Sequence, residues 1–477
     1  MKLTYLRVTA LSALAVLASA PAALALDAND FAAKLVATYA YSMPPDAKVS
    51  LGNATVSGND ITYDGISFTD KQGTKSLPVK LQFSNVSEGA DGSYTAGQLQ
   101  LPDVDYSSEG SALSIKSIVF KQIYVPGDKT GSVLASSRLF AAASTGPISL
   151  TVDGAKVLSL DSVSVNNSYK PSQADANLAE IDSVASTSGL KVDMSSVKDA
   201  DSAAQIKALG LETLTGKLFE SANWSLKDGH LDLAEISGDF DKVGKLKFSI
   251  DMSGYTPDFL QSLSSAGQAF ASGQQSGDSS ASSAAAGKLL QASQALFLNS
   301  ASLRFDDASI TGHLLDMMSA GTPRQAFVDA LVASIAQQDS DSSMPPDMVK
   351  LVQAAVRAYL TDPHSIELRI APKTPLGVMG LIGAAMAPQN LADQIGLQIV
   401  VNDKPITQAD AARESGPAAA SGDGNGDNSG ASSGDNSDQN ATDGSGDDDN
   451  SADDNLDNSD DSGDDSGNAS GHSTTNN

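Results

Sequence analysis

The sequence predicts an α+β protein: an extended antiparallel β-meander, a helical C-terminal portion and a disordered acidic tail. Three patterns carry that prediction. Lys245 to Met252 alternates without a break, with Leu246, Phe248, Ile250 and Met252 on one side and Lys245, Lys247, Ser249 and Asp251 on the other; period two is the signature of a half-buried strand. From Val49 to Tyr169, turn signals such as Gly58-Asn59-Asp60, Asp64-Gly65, Asp91-Gly92 and Asp153-Gly154 recur about every ten residues, the spacing of a meander, sandwich or barrel. Helical spacing of apolar residues is concentrated after Lys288, and beyond Ser415 almost nothing apolar remains.

Residues 1–25 read as a secretory signal. Lys2 and Arg7 form a basic start, Val8 to Ala20 an apolar run and Ala23-Leu24-Ala25 a small-x-small cleavage site. No cysteine follows the apolar run, which excludes lipid anchoring at that site. No later segment approaches about 18 uninterrupted apolar residues, so no further span is expected. Asp27 to Ser42 reads as a short amphipathic helix, with Phe31, Leu35, Val36 and Tyr39 at helical spacing and Pro44-Pro45 stopping it.

Residues 26–260 form the β-rich meander region. Its clearest part runs from Ala222 to Ser253, as three strands. Trp224 and Leu226 lead to Asp228-Gly229, a pair suited to a tight turn with positive φ at both residues. The second strand, His230 to Phe240, loses register at Ala234-Glu235, where a bulge returns Ile236 to the apolar side. Asp241 to Gly244 closes the second hairpin. The pattern predicts Phe248 buried and Lys247 exposed. Residues 172–219 read as mixed helix and loop, and 261–287, rich in Gly, Ser, Ala and Gln, as a linker or loop.

Residues 288–411 form an α+β region: helix Lys288–Leu298, strand Ser300–Ile310, helix Leu314–Ser319, and a helix after Thr322-Pro323 with Phe327, Leu331 and Ile335 on one face. A helix at Asp347–Leu360 carries a Met348, Val352, Ala355, Tyr359 stripe. Strand Ile366–Ile370, a buried helix at Leu376–Met386 and strand Leu397–Val401 follow. The Met residues of these helices read either as ordinary core or as an adaptable binding surface. Residues 412–477 form the tail, which cannot bury enough surface to offset chain entropy.

The 477 residues hold 58 acidic and 30 basic side chains, a net charge of -28. Fifteen Asp and no Lys or Arg lie between Ser421 and Asn477, so the rest of the chain stands at -13; that charge argues against a nucleic-acid partner. Absence of cysteine rules out thiol catalysis, Cys-ligated zinc and iron–sulfur clusters.

No catalytic, cofactor-binding or metal-ligating set is expected. His230, His313, His364 and His472 share no ligand spacing and read as surface or locally bonded histidines. Gly210 to Lys217 has five residues between its glycines where a phosphate loop needs four. Asp306 and Asp307, as strand neighbours, point to opposite faces. Glu235, Asp239 and Asp241 are scattered about a hairpin. The tail run at 423–428 lacks the Gly and Glu of a calcium loop, which leaves a solvating role or loose cation binding.

The segment Ser300–Met318, SASLRFDDASITGHLLDMM, with Asp362 to Ile370 (DPHSIELRI), resembles uncharacterised secreted proteins of alphaproteobacteria. The N-terminal strands are similar in architecture to AsmA-like periplasmic β-groove proteins, some tied to envelope lipid traffic. The chain departs from these in lacking a retained transmembrane anchor, and no functional residue carries over. The expectation is therefore a non-enzymatic exported protein, periplasmic or secreted in a bacterium, binding an apolar ligand such as a lipid, or an envelope protein partner. The alternatives are a structural or cell-surface interaction protein with a cation-binding tail, and a hydrolase whose carboxylates meet only in the fold.

Because the tail lacks apolar anchors, truncation after Ala411 is expected to move the thermal midpoint by about two degrees or less. Calorimetry checks this; a large drop would show that the tail docks on the body.

Overall fold

The computed structural model describes residues 26–40, 47–70, 73–128, 139–171, 179–276, 279–338, 345–386 and 391–413. The expected signal segment lies outside these residues, as does the tail past Arg413. The chain opens with helix α1 (Ala28–Ala40) and then builds one antiparallel sheet. Its first half contains β1 (Lys48–Ser57), β2 (Asp60–Asp70), β3 (Gly73–Glu88), β4 (Tyr94–Gln100), β5 (Val104–Ser108), β6 (Ser111–Ile115) and β7 (Val119–Val125). Then come β8 (Phe140–Ser144), β9 (Ile148–Val152), β10 (Ala155–Leu160), β11 (Ser162–Pro171), β12 (Ala179–Ser188) and β13 (Leu190–Asp193). After helix α2 (Ala200–Ala208) follow β14 (Thr213–Ser225), β15 (His230–Phe240) and β16 (Gly244–Ser253).

Two helices, α3 (Pro257–Ser276) and α4 (Ser279–Ser293), separate β16 from β17 (Phe297–Asp307). Helices α5 (Ile310–Ser319), α6 (Arg324–Gln338) and α7 (Pro346–Thr361) precede β18 (Ser365–Ile370) and β19 (Leu376–Gly377). Short helices α8 (Val378–Met386) and α9 (Leu391–Ile395) lead to β20 (Leu397–Val401), β21 (Lys404–Pro405) and α10 (Gln408–Arg413).

The topology follows from hairpin connections, so spatial neighbours are mostly sequence neighbours. Strands β4–β5, β6–β7, β8–β9, β10–β11 and β12–β13 are ribbons each broken near the middle. Their outer parts pair separately: β5–β6–β9–β10–β13–β14 form a side wing, while β4–β7–β8–β11–β12–β14 continue the main sheet. Gly189 marks the last break. It has φ 61°, and a Cβ there would stand 2.1 Å from an Asp161 carboxylate oxygen, so only glycine fits without rearrangement.

Several expectations hold. The bulge forms between Leu233 and Ile236, and Ile236 pairs with Phe248. The first hairpin differs in detail: of its two turn residues only Gly229 has positive φ, 68°, within a turn closed by its N–H donating to the Ser225 carbonyl at 3.0 Å. Residues 172–219, read as mixed helix and loop, do hold helix α2, but they also contain β12, β13 and most of β14. Alternation is hidden because polar residues stand on the apolar face as well, Ser183 and Thr187 beside Ala185 on β12 and Glu220 on β14. Residues 261–287 were expected as a linker; the described ones lie in helices α3 and α4, which pack together as a hairpin. Alanine outweighs glycine in helix propensity there. The strand expected at Ser300–Ile310 runs three residues earlier at both ends and closes at Asp307, whose carboxylate accepts hydrogen bonds from the Thr311 N–H and hydroxyl at 3.0 and 2.8 Å and so opens α5.

One sheet face is polar. Thr62, Gln82, Gln100, Val119, Ser144, Ser164, Ser186, Phe219, Ser237, Lys247, Arg304 and Glu367 stand in one cross-strand row. Partners on such a row share a face. Hydroxyl pairs stitch this side, Ser164 to Ser186 at 3.0 Å and Ser249 to Ser302 at 3.0 Å.

The core is divided. One cluster gathers Phe31 and Leu35 of α1 with Ile61, Tyr63, Leu81, Phe83, Val86, Tyr94, Ile123 and Val125. A second joins Leu351, Ala355 and Tyr359 of α7 to Ile399, Val401 and Ala411. A third holds Leu315, Val328 and Val332, so the inward stripe of α6 is Val328–Val332, not the expected Leu331, which is exposed. Ala411 is 1 % exposed within α10, so the tail is cleanly removed after Arg413, two residues beyond the expected boundary.

Phe248 corrects the burial expectation. Its alternation is right, yet the side chain is 36 % exposed while Lys247 is half-buried in cross-strand contacts. Phe31→Ala should therefore cost about 3–5 kcal/mol and Phe248→Ala about 1 kcal/mol or less. Urea denaturation measures both, and equal losses would contradict an open face at Phe248.

Candidate functional site: an apolar track and its cavity

On the face opposite the serines, register lines up Val56, Ile61, Phe83, Leu99, Phe120, Ala143, Val165, Ala185, Glu220, Ile236, Phe248, Leu303, Leu368 and Ile399. Every member except Glu220 is apolar. A neighbouring row on the same face runs Leu218, Gly238, Leu246, Phe305, Ile366, Val401. A third crosses the side wing as Tyr106, Leu113, Leu150, Leu158, Val192, Leu214. At about 4.8 Å per strand the long row extends roughly 60 Å.

Among the described residues, helices cover it near its two ends, although Val56 at the outermost strand is exposed. Beneath α1, Ile61 and Phe83 are 0 % and 1 % exposed; beneath α7, Ile399 is 6 % exposed. Between them Leu246 is 51 % exposed, Leu303 47 % and Ile236 44 %. Contiguous apolar surface of this kind marks an interaction or ligand site.

The covered end at α1 contains a cavity of about 360 Å³, within the size range of small-ligand pockets, about 300–1,000 Å³. Leu35 and Val36 of α1 form one side. Val49, Leu51, Ile66, Phe68 and Leu81 of β1–β3 form another, and Leu99, Leu101, Phe120, Ile123, Leu139 and Phe140 complete it with Phe83. No hydrogen-bonding side chain lines it. Phe83, Leu99 and Phe120 belong to both cavity and long row, so the cavity is one end of the track.

A polar clasp holds α1 over this cavity. The Asp27 carboxylate accepts from the N–H groups of Asn29 and Asp30, each at 3.0 Å, and caps the helix. Phe31 meets Phe83 and Tyr94 edge-on, at centroid distances of 5.0 and 5.4 Å. The buried Lys34 ammonium donates to the Gly92 carbonyl at 2.8 Å, pairs with Asp30 at 2.5 Å and lies 5.0 Å over the Tyr94 ring. Tyr63 donates to the Ala28 carbonyl at 2.5 Å, and Tyr94 to Asp30 at 3.1 Å. Burial pushes both phenols above their ordinary pKa, so both remain donors.

The other candidates are partnered, except that His313 is exposed on α5. Glu235 binds Lys245 at 2.6 Å, Lys247 at 3.6 Å and the Ser237 hydroxyl at 2.6 Å; the Lys245 bond, then Ser237, holds its carboxyl below the usual range. Asp239 faces Lys217 at 3.4 Å, and Asp241 accepts from Thr215 at 2.5 Å. Asp306 binds Arg304 at 2.7 Å while Asp307 turns to α5, so the two diverge as strand neighbours should. His230 lies 2.9 Å from Asp251, and His364 3.1 Å from Asp362; His472 falls outside the described residues. Among the described residues no group of three acidic or histidine side chains could hold a metal ion. No described helix is long and apolar enough to cross a membrane. The expected buried helix near Leu376–Met386 forms as α8, but Met379, Leu381 and Ile382 are exposed.

A family described only as an uncharacterised protein matches residues 237–402. That stretch carries the open part of the track, Phe248, Leu303 and Leu368, and the α7 end. Among curated proteins none matches the sequence.

Lys34→Met should remove the clasp and leave Asp30 short of its cation, a loss of about 1–3 kcal/mol. Amide exchange in α1 should quicken while exchange in β15 and β16 stays unchanged. Unaltered protection of α1 would show that packing alone seats it.

Proposed function

We propose that this protein is a non-enzymatic, exported lipid-binding protein that holds aliphatic chains along the apolar track, with the α1 cavity as the most enclosed seat. The cross-strand row from Val56 to Ile399 is the observation that supports this reading. An antiparallel sheet ordinarily buries its apolar face against helices or a second sheet. Here that face is open from Ile236 across Phe248 and Leu303 to Leu368, a stretch of about 14 Å at the spacing of strands.

The chemistry of the lining favours aliphatic ligands. Burying a methylene is worth about 0.8 kcal/mol, so eight methylenes supply about 6 kcal/mol before the costs of association. The cavity offers no polar group to read a sugar or a nucleotide, and its phenylalanines stand among leucines, isoleucines and valines. Export is supported by the basic start, apolar run and small-x-small site of residues 1–25, and a periplasmic or secreted location follows from it. The architectural likeness to AsmA-like proteins points the same way, toward envelope lipid handling.

Protein purified from its native envelope without detergent should carry phospholipid or fatty acid, read by mass spectrometry of an organic extract. The delipidated protein should bind the neutral dye N-phenyl-1-naphthylamine saturably. Leu303→Arg, on the open face, should weaken dye or lipid uptake about tenfold or more, since a charge there must be desolvated by the ligand, with stability little changed. An empty extract together with absent dye binding would overturn the proposal and leave the face as a protein interface.

A further inference from the structure

We propose that Glu220 makes the track selective by charge, favouring an amphiphile that carries an ammonium group over one with an anionic head; the inference rests on the lipid-binding reading above. Glu220 is the one charged member of the long row. It stands between Ala185 and Ile236 across the sheet, and between Leu218 and Ala222 along its own strand. The side chain is exposed and takes part in no hydrogen bond or ion pair among the described residues.

The cations nearest in register cannot neutralise it. Lys217, Lys245 and Lys247 lie on the opposite face, where Asp239 and Glu235 hold them. Glu220 helps line an open cleft of about 330 Å³, with Val163, Ala185, Leu218 and Ile236 and the polar Ser186, Thr187 and Ser237. A single uncompensated negative charge thus sits in a depression whose floor is otherwise uncharged, with the Thr187 hydroxyl, which accepts from the Leu218 N–H at 2.9 Å, beside it.

A chain laid over Ile236, Phe248 and Leu303 covers about 14 Å at the spacing of strands and brings its head to Glu220. Covering a carboxylate strips water from it, which is unfavourable unless the ligand supplies a cation. An ammonium group restores the lost solvation as a charge-assisted hydrogen bond. A carboxylate or phosphate head instead brings two like charges together in a place of reduced dielectric, and such repulsion is an efficient source of selectivity.

The test is displacement of N-phenyl-1-naphthylamine from the full-length protein near neutral pH, by dodecylammonium and by dodecanoate below their micellar concentrations. Wild type should release dye at about tenfold lower dodecylammonium than dodecanoate, the size expected of one partly desolvated charge contact. Glu220→Gln should bring the two midpoints within about twofold and leave the dye affinity unchanged. Glu220→Lys should reverse the order. Glu109→Gln, on the turn between β5 and β6, makes the same change in net charge and should keep the wild-type preference. Equal midpoints in wild type, or a preference that survives in Glu220→Gln, would overturn the role of Glu220 while the track itself stands. Absence of dye binding would remove the track and this inference with it.

Discussion

Cross-strand partners in a β-sheet share a face, and here that geometry aligns apolar residues from Val56 at the first strand to Ile399 near the last. The alignment sets a problem that the rest of the molecule answers. A face this wide, left bare, invites association; sealed, it becomes an ordinary core. The chain does both at different places. Helix α1 closes one end with Phe31 and Leu35, helix α7 closes the other with Leu351, Ala355 and Tyr359, and between them Ile236, Leu246, Leu303 and Leu368 stay exposed among the described residues. The opposite face is built of hydroxyls and ion pairs, so the sheet does not need a second layer on that side to satisfy its side chains.

The two closures differ in chemistry. At α7 the contact is apolar, helped by the Tyr359 hydroxyl 2.8 Å from that of Thr311. At α1 the helix is short, and its seat combines the Phe31 aromatic cluster with the Lys34–Asp30–Tyr94 clasp. A buried ammonium held by a carboxylate, a carbonyl and a ring is specific in position, because removing any partner leaves a charge without solvation. Such a clasp fixes the helix at one height above the sheet. With α1 held there, the space between Leu35, Val36 and the strands stays an apolar cavity and does not collapse.

The meander itself was legible in the sequence, because alternation at Lys245–Met252 and regular turns are local signals. The bulge at Ala234-Glu235 was legible for the same reason. What local pattern could not convey was what covers each strand: Phe248 alternates like a core residue and is exposed, since its burial depends on whether a helix returns over it. The start of α3 was legible in Thr256-Pro257, a cap followed by a first-turn proline, but its continuation and the first half of α4 were hidden by composition, as Ser and Gly masked alanine-rich helix. The cavity was hidden more deeply, for its walls come from α1 and six strands, and no spacing in sequence brings Val36, Phe68 and Phe140 together. Glu220 was equally silent: on a strand it reads as one more solvated carboxylate, and only the register with Ala185 and Ile236 shows that it faces the apolar side.

The bulge on β15 ties these features together. Leu231 and Leu233 face the track, and strict alternation would place Glu235 there next and turn Ile236 to the polar side. One inserted residue reverses that assignment. Ile236 joins Phe248 on the track, while Glu235 swings to the other face, where Lys245, Lys247 and Ser237 satisfy it. Without the bulge, two carboxylates from adjacent strands, Glu220 and Glu235, would lie on an apolar floor with no cation in reach, and the lysines opposite would lose their partner. With it, the floor keeps a single negative charge. Under the proposed function, discrimination among amphiphile heads therefore depends on a backbone irregularity of one residue, which sorts Glu235 and Ile236 onto opposite faces of the sheet.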